Sequence, residues 1–200
     1  MLHPDTEIKF INLEIGYGVF ATSFIPKGTI IWALDKLDLR ISINEVKALP
    51  ALIREKVEHF GYINRFGQYI LNWDLTRFIN HSCTPTTRSL NDALDVAVCD
   101  INKGEQLTCD YGILNYKDMI CICGSKNCRK VIKSNDCEFF FSIWDKEVAD
   151  AWAVANLVNQ PLLPIAKLNE NNDVILETLQ SGVCATIPSS RTYKFNGSIF

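Results

Sequence analysis

The amino-acid sequence predicts a mostly β protein: small sheets of short strands, interrupted by one helical insertion and followed by a partly helical C-terminal extension. Three observations carry this expectation. Short apolar runs alternate with glycine- and proline-marked turns over the first third of the chain and again before Cys109. One stretch, 42–61, carries helix signals at both ends. After Lys133 the apolar residues recur with a helical period.

The elements follow in order. Residues 7–15 read as a strand, punctuated by a turn at Gly16-Tyr17-Gly18, and Val19-Phe20-Ala21 resumes it. Pro26-Lys27-Gly28 turns the chain into a second apolar run over 29–34. Ser42-x-x-Glu45 is a capping box, and Pro50 is placed at the first position of a second helical piece. There Leu52, Ile53, Val57 and Phe60 make one apolar stripe, and Gly61 is the stop. Tyr69-Ile70-Leu71 is a strand. Leu94, Val96 and Val98 alternate with Ala93, Asp95 and Ala97 as in a half-buried one, and Asn102-Lys103-Gly104 turns into the run 105–109. Beyond a boundary near residue 135, Val148, Trp152, Ala155 and Val158 line one helical face. Pro161 and Pro164 then break the pattern before the polar run 169–173. No internal repeat or low-complexity tract is present.

Two hundred residues suit one domain with an appendage, and a chain of this size buries a core without disulfide staples. A net charge of -3 does not indicate a broad nucleic-acid-binding face. Met1-Leu2-His3-Pro4-Asp5 lacks the basic and apolar regions of a signal peptide, and no apolar run approaches the ~18 residues of a membrane span. An intracellular protein, cytoplasmic by default and without membrane attachment, is expected. Six of the eight cysteines lie between Cys83 and Cys128. In a reducing compartment such clustered thiols ligate metal more often than they pair. Cys99, within the alternating strand, is expected in the core, and Cys137 and Cys184 as isolated thiols.

Four segments carry chemistry. Gly16-Tyr17-Gly18 permits a tight turn and close backbone approach to a ligand, though such a pair alone more often makes only a turn. In Arg77-Phe78-Ile79-Asn80-His81-Ser82-Cys83 an amide, an imidazole, a hydroxyl and a thiol are consecutive. The amide suits the ammonium and carboxylate of an amino-acid-like ligand, and the bland alternative is a polar turn leading to Pro85. Gly104-Glu105-Gln106-Leu107-Thr108-Cys109-Asp110-Tyr111-Gly112 ends a strand on a phenol, although a single tyrosine is more commonly a core residue with its hydroxyl satisfied. Cys121-Ile122-Cys123-Gly124-Ser125-Lys126-Asn127-Cys128 holds three thiols in eight residues. Tetrahedral zinc needs a fourth ligand, and Cys83 is the natural candidate.

In this order the four segments resemble the SET-domain protein-lysine methyltransferase family, in its compact, bacterial-type form. They are similar to its Gly-x-Gly motif, its Arg-Phe-x-Asn-His-Ser-Cys signature, its Gly-Glu-x-Leu-x-x-Asp-Tyr segment and its post-SET Cys-x-Cys-x4-Cys zinc motif. The resemblance implies a β-clip fold with a pseudoknot, divided into a SET domain over 6–117, a post-SET zinc-binding segment over 118–135 and a C-terminal extension over 136–200. It implies S-adenosylmethionine as cofactor, contacted by Gly16, Tyr17, Gly18, Phe78, Asn80, His81 and Val131, with Arg77 bracing the segment. Tyr111 would be the catalytic residue, Cys109 and Tyr62 would line the substrate channel, and Zn2+ would bind Cys83, Cys121, Cys123 and Cys128. The implied partner is a protein or peptide lysine, with histones the common target. Direct nucleic-acid binding is not implied. Action in a nucleus or a host cell, and a dimer through the C-terminal helix, stay open.

The sequence departs from the family pattern at Cys109, where a Phe or Tyr usually limits the number of methyl groups. It departs also at Trp32-Ala33-Leu34-Asp35 in place of Tyr-x-Gly-Glu, at Thr86 in place of Asn, and at Lys130 in place of Gly. Two other readings compete. A non-catalytic SET-like binding or scaffold module has no need to retain Asn80, His81 and Tyr111. A zinc-ribbon interaction protein leaves the upstream segments unaccounted for.

Overall fold

The computed structural model describes residues 1–114, 117–181, 187–193 and 195. In chain order the strands and helices are β1 (Thr6–Asn12), β2 (Gly16–Ala21), β3 (Ile30–Ala33), β4 (Leu39–Ser42), α1 (Ile43–Ala48), α2 (Ala51–Phe60), β5 (Tyr62–Ile63) and β6 (Gln68–Leu71). There follow β7 (Asn80–His81), β8 (Thr87–Asn91), β9 (Leu94–Ala97), β10 (Gln106–Cys109), β11 (Met119–Ile120), β12 (Val131–Ile132), α3 (Asp136–Trp152), α4 (Leu163–Ala166) and α5 (Asp173–Ser181). The strands form small sheets of order β1-β2-β10-β7, β3-β9-β8, β4-β6-β5 and β11-β12. The expected mostly β architecture with a helical insertion is therefore observed.

Several local signals act where they were read. Ser42 Oγ accepts from Glu45 N–H while Glu45 Oε2 accepts from Ser42 N–H, which closes the capping box of α1. Others shift. The turn lies at 13–15, where Asn12 Oδ1 accepts the amides of Glu14 and Ile15, so Gly16-Tyr17-Gly18 opens β2 and is not itself the turn. Pro50 is the N-cap residue of α2, one place earlier than expected. Of the expected stripe in α2 only Val57 is buried, and Leu52 stays 71% exposed. Cys99 is exposed just past the end of β9, not in the core. Cys184 lies outside the described residues.

The strand read as half-buried is covered on both sides. Val96 and Leu94 pack with Ile30, Leu90, Val148, Ala151 and Trp152, while Ala97 packs with Ile31, Val19, Ile79 and Leu107. The first cluster is closed by the C-terminal extension, whose α3 begins at Asp136, earlier than the periodicity from Val148 suggested. Gln160 fastens this layer to β3: its Oε1 accepts from Ile30 N–H at 2.8 Å and its Nε2 donates to Gly28 O at 2.8 Å. Gly28 has φ +89, and a Cβ there would meet Ala151 O at 2.8 Å, so the glycine lets the end of α3 sit on the loop. The Trp152 face is an internal packing surface, its indole donating to Thr178 Oγ1. Any contact between chains through α3 must use the opposite face, where Phe139 and Ile143 are exposed. Among the described residues no helix is long and apolar enough to cross a membrane.

Candidate active site

The site is organised by the parallel pairing of β7 with β10, which sets Asn80 beside Thr108 and His81 beside Cys109. Ser82 N–H extends the ladder to Cys109 O at 3.0 Å. Residues some thirty positions apart thus share one place, as the pseudoknot of the resemblance requires. Successive side chains on an extended segment point to opposite sides. Along 78–80 this separates two environments.

On one side, Asn80 Nδ2 donates to Tyr17 O at 2.9 Å, and the Phe78 ring meets Tyr17 edge-on at 6.2 Å. Gly18 is packed so closely that a Cβ would lie 2.5 Å from Gln106 Nε2 and 2.9 Å from Asn80 Nδ2. Gly16, at φ +81, has nothing within 4 Å of the same position. The Gln106 Nε2 amide is buried with no hydrogen-bond partner among the described residues. An open backbone, two amide side chains and half-exposed aromatics suit a polar ligand carrying an amino-acid end.

On the other side, Ile79 lines a cavity of about 150 Å³ whose wall also includes Trp32, Tyr62, Asp95, Cys109 and Tyr111. The Tyr111 hydroxyl donates to Ile79 O at 2.8 Å. Burial raises this phenol far above its usual range, so it is neutral at every physiological pH. Trp32 and Tyr62 meet edge-on at 6.3 Å. Arg77 braces the segment, its Nε donating to Asp74 O at 3.0 Å and its Nη2 to Trp73 O.

The thiols gather next to this cavity. Cys121 Sγ lies 3.7 Å from Cys83 Sγ and 3.5 Å from Cys128 Sγ, and the donor atoms of His81, Cys83, Cys121 and Cys123 fall within 4.8 Å of one another. Four thiolates at about 2.3 Å from a tetrahedral zinc would stand about 3.8 Å apart, so the sulfur spacing fits that ion. Backbone amides of Arg129 and Lys130 donate to Cys83 and Cys128, as thiolates favour. Burial outweighs its neighbours and lowers His81 to about 4, so its ring is neutral. Its Nδ1 accepts from Tyr111 N–H at 3.1 Å. That tautomer puts the proton on Nε2, which faces Cys83 Sγ at 3.3 Å. The donor atoms of His81, Cys83, Cys121 and Cys123 form the group that could hold a metal ion, and Cys128 Sγ lies beside Cys121.

Of the residues singled out in the sequence, Tyr111, Cys109 and Tyr62 share the cavity, while Gly16, Tyr17, Gly18, Phe78 and Asn80 share the outer face. Val131 is 42% exposed on the β11-β12 ribbon and does not line the cavity. Sequence reasoning missed the buried Asp110, which binds Arg88 at 3.0 Å and also Arg129. Arg88 and Arg129 continue to Glu147 and Asp136 of α3, so this helix holds the residue next to Tyr111. It missed Asp95 as well.

Comparison with known proteins gives a consistent picture. The SET domain family matches residues 16–112. The ASHH4 protein of Arabidopsis thaliana is 30% identical over 153 residues, covering 66% of this chain and 41% of the relative. The H3 lysine-36-specific histone-lysine N-methyltransferase of Saccharomyces cerevisiae is 28% identical over 189 residues, covering 83% of this chain and 25% of the relative. The chain thus spans less than half the length of either. Among solved structures, the methyltransferase domain of human histone-lysine N-methyltransferase SETMAR superposes with a TM-score of 0.45 at 18% identity, over 64% of this chain and 58% of that one. Residues 16–112 are therefore a SET domain.

Proposed function

We propose that the chain is an S-adenosylmethionine-dependent protein-lysine N-methyltransferase. The observation that carries this reading is the division of the 78–80 segment, with a polar, glycine-lined face on one side and a cavity lined by Tyr111 on the other. Gly16, Tyr17, Gly18, Phe78 and Asn80 would hold the cofactor, with His81 bridging to the thiols and Val131 the outermost contact. S-adenosylmethionine supplies an electrophilic methyl group on a sulfonium. The chain's own residues must present a neutral amine to it.

A free lysine at pKa ~10.4 is almost wholly charged at pH 7, and deprotonation costs roughly 4.6 kcal/mol. The positive sulfonium of a bound cofactor would lower that cost by repelling the ammonium. Tyr111 cannot serve as a base, since burial keeps it protonated. Its proton is committed to Ile79 O, which leaves the oxygen lone pairs to accept an N–H of the amine and fix the direction of the nitrogen lone pair. The same oxygen stabilises positive charge developing at the transferred carbon. The amine proton leaves to solvent.

The fit of the sulfur spacing supports Zn2+ on Cys83, Cys121, Cys123 and Cys128, making 118–135 a zinc-binding segment and 136–200 a structural extension. The name of the yeast relative puts histone H3 first among protein substrates, and a histone target would place the activity in a nucleus or a host cell. Radiolabelled methyl transfer onto core histones and native lysate, read by mass spectrometry, tests the proposal. Transfer to lysine is expected, with Tyr111→Phe slower by on the order of 10²-fold and cofactor binding by calorimetry unchanged. Cofactor binding without transfer to any lysine would point to a binding module instead.

A further inference from the structure

One carboxylate in the cavity wall has no cation among the described residues. Asp92 pairs with Arg65 at 2.7 Å, and Glu58 faces Arg54 across 4.0 Å. Asp38 accepts from Asn72, Trp73 and Asp35. On the far wall Arg77 is committed to carbonyl oxygens, and His59 stands edge-on to Phe60. Among the described residues Asp95 has only the Ser89 hydroxyl, from the neighbouring position on β8, although a carboxylate offers about four acceptor sites. Burial raises it to about 6, so most of it is still ionised at neutral pH. Its charge reaches both Cys109 and Tyr62, raising each further above the effect of burial. It lines the cavity together with Cys109 and Tyr62 and pairs across the sheet with Trp32 of β3.

A half-buried, ionised carboxylate with no cation beside it is poorly compensated for the water it has lost. Here it borders an apolar space framed by the Trp32 and Tyr62 rings, an environment that attracts ammonium groups and their alkylated forms. We propose that Asp95 is the counter-ion of the channel, receiving the substrate lysine as an ammonium before its proton leaves and the alkylated ammonium after transfer. This rests on the lysine-methyltransferase reading of the cavity. Asp95 makes and breaks no bond. The alkylated nitrogen is again a cation, so the same carboxylate holds a mono- or dimethylated side chain in the channel, where the small Cys109 leaves it room.

The test uses the full chain and three probes with the reach of a lysine side chain: n-butylammonium, N,N-dimethyl-n-butylammonium and the neutral 1-butanol. Binding is followed by NMR titration in the parent chain and in Asp95→Asn. Both ammonium probes should bind the parent on the order of tenfold more tightly than butanol, and the substitution should erase that preference while leaving butanol unchanged. The melting temperature of Asp95→Asn should equal or exceed that of the parent, because a partly desolvated charge without a cation is removed. No preference for ammonium in the parent chain overturns the proposal without recourse to any variant, and so does a preference that survives Asp95→Asn. Methyl transfer with Asp95-independent ammonium binding would leave the catalytic reading standing alone. Ammonium binding through Asp95 in a chain that transfers no methyl would do the reverse.

Discussion

Lys130 stands in the left-handed region at φ 65, the only non-glycine residue with positive φ among those described. Its backbone is needed there: the carbonyl accepts Cys121 N–H at 2.8 Å and the amide donates to Cys128 Sγ at 3.4 Å. The side chain is exposed. An L-residue in this region is disfavoured by roughly 1–2 kcal/mol, against which glycine loses about 0.5–1 kcal/mol through the freedom of the unfolded chain. Lys130→Gly is therefore expected to stabilise the protein by about 0.5–1 kcal/mol, read from the urea midpoint at constant slope. A lower midpoint would mean that the lysine side chain makes a stabilising contact that its exposure conceals. The substitution of lysine for the family's glycine was visible in the sequence, but the sign of φ, which decides its consequence, was not.

At the scale of elements, the cysteine segment is a short ribbon held by little of its own. β11 and β12 are two residues each, and Ile120 and Val131 on it are exposed. What fixes it is the thiol cluster and Arg129, which reaches Asp110 beside Tyr111 and Asp136 at the start of α3. Removal of one ligand should release the ribbon and with it one of the two arginines on Asp110. Cys123→Ser is expected to lower zinc affinity by at least roughly tenfold, with cofactor affinity falling in parallel. Metal analysis and calorimetry on the same sample check this. Zinc loss with unchanged cofactor binding would separate the ribbon from the site. The local devices here were legible: the Cys spacing, the Ser42–Glu45 box and the strand at 106–109 depend on neighbours within a few residues. Asp95 was not, because period-two alternation marks it as a solvent-facing residue. Only tertiary packing reveals that its side of β9 borders a cavity. Asp110 escaped for a related reason, since the arginines that bind it come from β8 and from the cysteine segment.

For the whole molecule, the question is whether the 136–200 extension is an appendage or part of the folding unit. The residues matched to the SET domain family end at 112, and the sequence changes character near 135, which together suggest an appendage. The packing argues otherwise. Val148, Trp152, Leu162, Ile175 and Leu176 are all buried in one cluster with Ile30, Leu90, Leu94 and Val96. Burying each such side chain contributes about 1.5–3 kcal/mol, so these five together are worth on the order of 10 kcal/mol, as much as the net stability of a typical domain. Polar ties are lost as well: the Gln160 bonds to Ile30 and Gly28, the Asn172 bond to Asn91, and the Tyr193 hydroxyl on Leu90 O. Asp136 and Glu147 would leave Arg129 and Arg88, both bound to Asp110, partly unpaired. A chain ending at residue 135 is therefore expected to lack a cooperative thermal transition and near-ultraviolet circular dichroism, and to bind no cofactor even with zinc supplied. If the truncated chain instead melts cooperatively and binds cofactor as the full chain does, the outer face of β3, β9 and β8 is stable without its cover, and the extension is dispensable to the fold.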